Sequence, residues 1–157
     1  MSIIKDNYRI TEGNHMLSTI QKAAENFCIH QIRVGHKVHG DISKKRTFIA
    51  YIDITTIDDK IFRVYIASDE AFMQRVSYLF LEEDKSDEET LIDMTLETAN
   101  LIIGSAKVLS EADHKNSYTI ATPHFEKIGE FDLVVDDIKT IAVEDDELII
   151  AIKELHE

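Results

Sequence analysis

Residues 93 to 107 read DMTLETANLIIGSAK. An acid (Asp93), a second acid (Glu97), an amide (Asn100), a glycine (Gly104) and a lysine (Lys107) follow at spacings of four, three, four and three. On a helical wheel turning about 100° per residue, Asp93, Glu97, Gly104 and Lys107 fall within about 60° of Asn100. The opposite side carries Leu91, Ile92, Leu96, Ala99, Ile102, Ile103, Ala106 and Leu109, and Met94, Leu101 and Val108 flank the stripe. A merely solvated stripe would favour good helix formers. Glycine mid-helix costs about 1 kcal/mol relative to alanine, and an interior asparagine gains nothing by capping. A glycine here leaves room for another surface to come close, so the stripe reads as a docking face.

The elements that must hold this stripe follow from periodicity. Residues 11 to 28 place Met16, Leu17, Ile20, Ala23, Ala24 and Phe27 at helical spacing, with Thr11 as N-cap. QIRVGHKVHGDI, KKRTFIAYIDITTI and KIFRVYIAS are strand-like, with a tight turn at Asp58-Asp59 and another at Lys44 to Arg46, and predict an antiparallel meander. Ser68 is positioned to cap a second helix, with Asp69 and Glu70 in its first turn. EEDKSDEE (82 to 89) reads as a solvated link into the third helix, about residues 87 to 111. YTIATP, EFDLVVDDIKTIAV and DELIIAIKEL return to strand pattern, with a turn at Glu144 to Asp146. The fold class expected is α+β: one domain over 1–157, two layers, three main helices on a mostly antiparallel sheet of about six strands. The outer sheet face or an edge would be free for self-association. A helix precedes strands in both halves, which raises a diverged internal duplication.

Composition narrows the partners. The chain has 157 residues, 44% hydrophobic and 30% charged, as in an ordinary globular domain. Thirty acids against seventeen bases give a net charge of −13. With no clustered lysine and arginine, nucleic acid is not expected as a partner, nor is an anionic membrane surface. Cys28 is the single cysteine, so no internal disulfide forms and a reducing compartment is expected. MSIIKDNYRI lacks the apolar core of a signal peptide, and no apolar run reaches a membrane span. The expected localisation is cytoplasmic.

The sequence resembles the CheC/CheX/FliY group of bacterial chemotaxis phosphatases, in its single-site CheX type. The group's signature is an acid or serine, Glu-x2-Asn four residues on, then about twenty-two residues and a proline. Here Asp93, Glu97, Asn100 and Pro123 stand at those places, with GSAK after the Asn-x3 step and Gly129 beyond the proline. The first helix holds Glu12, Asn14, Glu25 and Asn26, none in the Glu-x2-Asn pattern. SEADHKNS at 110 to 117 departs from the glycine turn more usual in the group.

The resemblance implies a substrate, the aspartyl phosphate of a CheY-type response regulator, and an enzyme that is a phosphatase. Such a receiver supplies its own Mg2+ and lysine, so no cofactor or metal of this chain's own is expected. What is missing is a water held in line, and a rigid carboxamide can position it: its carbonyl accepts from water and its NH2 donates. The implied roles are then water orientation for Asn100 and pairing with the receiver's lysine for Glu97. Asp93, Gly104 and Lys107 would be docking contacts, and Pro123 structural. The group also suggests a homodimer. Rival readings are a non-catalytic receiver-binding module and a flagellar switch-associated module.

Other candidates carry less. His36 and His39, three apart on a strand, point to opposite faces and make no metal site. Cys28 ends an apolar face and reads as a core thiol. Phe48, Tyr51, Phe62 and Tyr65 are expected in the core or a dimer contact. No Gly-x-Ser-x-Gly, phosphate-cradling loop or nucleotide fingerprint occurs.

Overall fold

The structure, a computed structural model, describes residues 12–41, 44–114 and 118–156. Helix α1 (Glu12–Phe27) buries Met16, Leu17, Ile20, Ala23, Ala24 and Phe27, as its spacing predicts. Its expected cap, Thr11, lies outside the described residues. The helix widens into a π-turn (Cys28–Ile32) that ends at Arg33 with φ 63°, whose N–H donates to Cys28 O over 2.7 Å. Ile32 therefore belongs to this turn, and the strand expected after it shrinks to β1 (Lys37–His39). Then come β2 (Arg46–Thr56), β3 (Ile61–Asp69), α2 (Glu70–Leu81) and α3 (Glu88–His114). The remaining strands are β4 (Tyr118–Ile120), β5 (His124–Glu130), β6 (Asp137–Val143) and β7 (Asp146–Leu155).

Among the described residues seven strands form one sheet, ordered β1-β6-β7-β3-β2-β4, with β5 beside β4 on the same edge of β2. Every pairing is antiparallel. The three helices lie on one face, giving the expected two-layer α+β architecture. Alternation along the strands sends Phe48, Ile52, Val64, Ile66, Leu148 and Ile150 under the helices.

Several expectations are corrected. β1 pairs with β6, not β2, so the first three strands are no meander. The Lys44-Lys45-Arg46 run is therefore not a hairpin turn. Lys44 and Lys45 precede β2, which Arg46 opens, at the sheet end where Asp41 O accepts from Thr140 and Lys45 reaches Asp69 at 3.1 Å. The cap of α2 is Asp69: its Oδ1 accepts from Phe72 N at 2.9 Å, while Ser68 is buried in the ladder opposite Leu148. Ser86, in the supposedly solvated link, is buried, and its backbone N–H and C=O both bond to the Gln74 amide at 2.9 Å.

The apolar run at 131 to 135 is not a strand either. Phe131, Leu133 and Val135 alternate inward and lie over Ile49, Tyr65, Ala67, Ile149 and Ala151. That segment straps the outer sheet face, which is therefore partly covered. Tyr65 meets Phe131 edge to face at 6.0 Å. Tyr51 is flanked by His124 at 5.4 Å and by Arg63, which holds Asp53 through bonds of 2.8 and 3.0 Å.

The strand order reads alike from both ends when the halves are exchanged. β1, β2 and β3 then take the places of β4/β5, β6 and β7, and the β3–β7 pair lies at the centre. Each half's helix covers the other half's hairpin: α1 packs on β6 and β7, α3 on β2 and β3. This matches the duplication that helix-before-strand order raised.

Candidate functional site

α3 is held at its start, along its underside and by a neighbour. Asp87 Oδ1 accepts from Thr90 N at 2.9 Å, and the Thr90 side chain first, then that backbone bond, draw its carboxyl below the usual carboxylate range. Arg46 Nη2 bonds Glu88 at 3.0 Å, tying the first turn to β2. Beneath, Thr95 is buried and donates to Leu91 O at 2.7 Å, and buried Thr98 lies on Met73 of α2. Leu91, Ala99, Ile102, Ile103 and Ala106 are buried against the sheet and α1. The helix is thus a fixed rod, and its remaining face is set by its rotation.

That face carries the stripe. Asp93, Glu97 and Asn100 are exposed, and Gly104 and Lys107 are half-buried. Glu97 and Asn100 are three apart, so their Cβ atoms lie about 5–6 Å from each other. Among the described residues, Asp93, Glu97, Asn100 and Lys107 have no side-chain hydrogen bond or ion pair. Elsewhere among the described residues acids are engaged by cations, as where Arg75 holds Asp146 at 2.5 Å and Glu144 at 2.6 Å. The stripe's acids and amide therefore face solvent. A Cβ built on Gly104 would meet nothing within 4 Å, so this chain's own packing does not call for a glycine there.

Pro123 is half-buried in the break between β4 and β5. The ladder on β2 ends with Ile54 opposite Ile120, is carried one step by Ala121 N to Asp53 O at 2.9 Å, and resumes with Tyr51 opposite His124. A residue without an N–H suits that gap.

Away from the stripe, Cys28 is fully buried, and burial pushes its thiol up to about 11, with nearby Glu25 adding to the rise. His36 bonds Glu25 at 2.9 Å, and His39 lies 4.0 Å from Glu147. No group of three or more histidine, cysteine, aspartate and glutamate side chains could hold a metal among the described residues. None of the described helices is long and apolar enough to cross a membrane.

Sequence reasoning missed a groove beside the ridge. It lies between α1 and its π-turn, the end of α2, and α3, and includes Phe27, His30, Phe80, Leu101 and Ile102. Only Leu101, flanking the stripe on the wheel, hinted at it.

No protein-family model matches the chain, and no curated protein matches its sequence. Solved structures do match in fold. The chemotaxis protein CheX of Vibrio vulnificus aligns over 90% of this chain and 99% of its own, at TM-score 0.71 and 17% identity. A CheC-like chemotactic protein of Shewanella oneidensis aligns over 89% and 95%, at 0.67 and 13%. CheX of Borrelia burgdorferi, solved as a complex with CheY, BeF3 and Mg2+, aligns over 93% and 100%, at 0.63 and 18%. With nearly whole chains superposing on both sides, this chain has the fold of the CheX and CheC-like chemotaxis proteins.

Proposed function

We propose that this chain is a CheX-type phosphatase that removes the phosphoryl group from the aspartyl phosphate of a CheY-type receiver and so ends a chemotaxis signal. One observation carries the reading. A carboxylate and a carboxamide, Glu97 and Asn100, project together from a rigid helix with no partner of their own among the described residues. The fold likeness to a CheX bound to CheY supports the choice of partner.

Asn100 enters the receiver's pocket. Its side-chain oxygen accepts a hydrogen bond from a water and holds it in line with the phosphorus, while its NH2 donates to a phosphoryl oxygen. The water's oxygen bonds to phosphorus as the bond from phosphorus to the aspartyl oxygen breaks, and the aspartate leaves as carboxylate. A carboxylate in place of Asn100 would repel the phosphoryl oxygens. Glu97 pairs with the receiver's lysine and fixes the register. Asp93 and Lys107 line the contact, and Gly104 admits it. The Mg2+ is the receiver's. We place the protein in the cytoplasm and expect a homodimer.

The test is phosphate loss from a phosphorylated CheY-type receiver in Mg2+, with and without this protein. Wild type should speed it, and Asn100→Ala should abolish the acceleration while retaining binding. Binding without acceleration by wild type would leave the second reading, a non-catalytic receiver-binding or switch-associated module.

A further inference from the structure

We propose that the groove beside the α3 ridge receives an apolar side chain of the same receiver domain, and that this contact selects which receiver is served. The inference rests on the phosphatase reading and adds a specificity surface to it.

The groove has a volume of about 280 Å³. That is small for a cofactor or drug-sized molecule and suits one large side chain. Its floor and walls are Ala23, Phe27, Phe80, Leu101 and Ile102, with the Phe27 and Phe80 rings stacked at 6.3 Å. No carboxylate, ammonium or guanidinium lines it, in a chain of net charge −13. Phe80 and Leu101 are each 41% exposed, so apolar surface is left in water. A concave surface lined mainly by apolar side chains with a few polar groups is the usual form of a binding site.

Its position points to the occupant. Leu101 follows Asn100 directly, and Ser105, also on the groove, follows Gly104. On the wheel Leu101 and Ser105 lie about 100° and 140° from Asn100, where the ridge gives way to the groove. A domain seated on Glu97 and Asn100 and touching Gly104 is close enough to reach over it. Charge fits the same arrangement. The acidic ridge meets the receiver's cationic centre, and the uncharged groove beside it takes a neutral side chain. The wall opposite α3 comes from the π-turn, which supplies His30 and Gln31.

The test measures binding of a CheY-type receiver loaded with BeF3 and Mg2+ to the full chain. Leu101→Ser removes one wall, and Ser105→Trp fills the groove. Both sites are exposed, and thermal melts check the fold. Ile57→Ser, on an 85% exposed side chain of the β2–β3 turn, controls for loss of surface apolarity. Each groove variant should raise Kd at least tenfold and the control less than twofold. In dephosphorylation the groove variants should raise the concentration needed for half-maximal rate, whereas Asn100→Ala lowers the maximal rate itself. Unchanged Kd in both groove variants overturns the inference and leaves the phosphatase reading standing. Unchanged Kd with altered self-association in sedimentation also overturns it, assigning the groove to a second copy. Binding that depends on the groove without any hydrolysis by wild type supports the groove and ends the phosphatase reading.

Discussion

The backbone N–H of Glu147, at the start of β7, donates to Asp69 Oδ2 over 3.0 Å, while the other oxygen of that carboxylate caps α2 through Phe72 N. Lys45 adds an ion pair at 3.1 Å. One side chain thus joins the central strand pair, a helix start and the connection between β1 and β2. Asp69→Ala removes a cap and orphans a second backbone donor, so we expect a loss of roughly 2–4 kcal/mol. Urea unfolding measures it, and a loss below about 1 kcal/mol would show that water replaces the carboxylate.

Gly104 should separate stability from function. Nothing lies within 4 Å of a Cβ built there, so Gly104→Ala should stabilise the fold by about 0.5–1 kcal/mol. A long side chain, as in Gly104→Gln, should keep the fold and raise the receiver concentration needed for half-maximal dephosphorylation. Equal activity in Gly104→Gln and wild type would mean that no surface approaches that point.

Glu97 and Asn100 should fail in different ways. Asn100→Ala should lower the maximal rate to the receiver's own rate with little change in affinity. Glu97→Ala should weaken docking as well as rate, since an ion pair inside a contact is lost. Single-turnover assays across a concentration series distinguish the two, and a Glu97→Ala variant with wild-type affinity and rate would remove that residue from the site.

Cys28 gives an alkaline signature. Its folded thiol is held up to about 11 against an ordinary value of 9.0. The folded state keeps the proton where the unfolded state loses it, so the thiol's contribution is full below about pH 9. That contribution falls away as pH rises toward 11, by on the order of 2 kcal/mol. Tyr118, held above its ordinary 10.0 by burial and then by Glu111, adds a further loss that begins near pH 10 and is common to wild type and variant. Cys28→Ala should start less stable, through its small cavity, but show a flatter profile from pH 9 to 11. A thiol reagent at pH 8 should label wild type only on unfolding; rapid labelling of folded protein would contradict the burial.

Where local pattern decided the outcome, the sequence was readable. Helix α1 shows its buried stripe, β2, β3 and β7 are rich in β-branched residues, and the ridge of α3 follows from a wheel. The α+β class and two-layer packing followed. What depended on distant partners was not readable. β1 has three residues, and its pairing with β6 is fixed only by the rest of the sheet. HFEKIGE is a polar edge strand with a register shift opposite Ile49 and Ala50, so its alternation is broken. Phe131, Leu133 and Val135 alternate like a strand but spend that alternation on the outer sheet face without a ladder. Ser68 and Asp69 are both good caps, and only the end of the β3 ladder chooses between them. The ridge was visible because one helix makes it; the groove was not, because three segments do.

The central pairing of β3 with β7 carries a consequence for synthesis. Ile61 to Ser68 must await Leu148 to Leu155 before the middle of the sheet can close. A chain emerging from the ribosome therefore holds the β2–β3 hairpin and α3 with one flank open, and α1 without the β6–β7 surface it covers. Chains stalled before residue 146 should be cut readily by protease, and resistance should arrive in one step with the last strand.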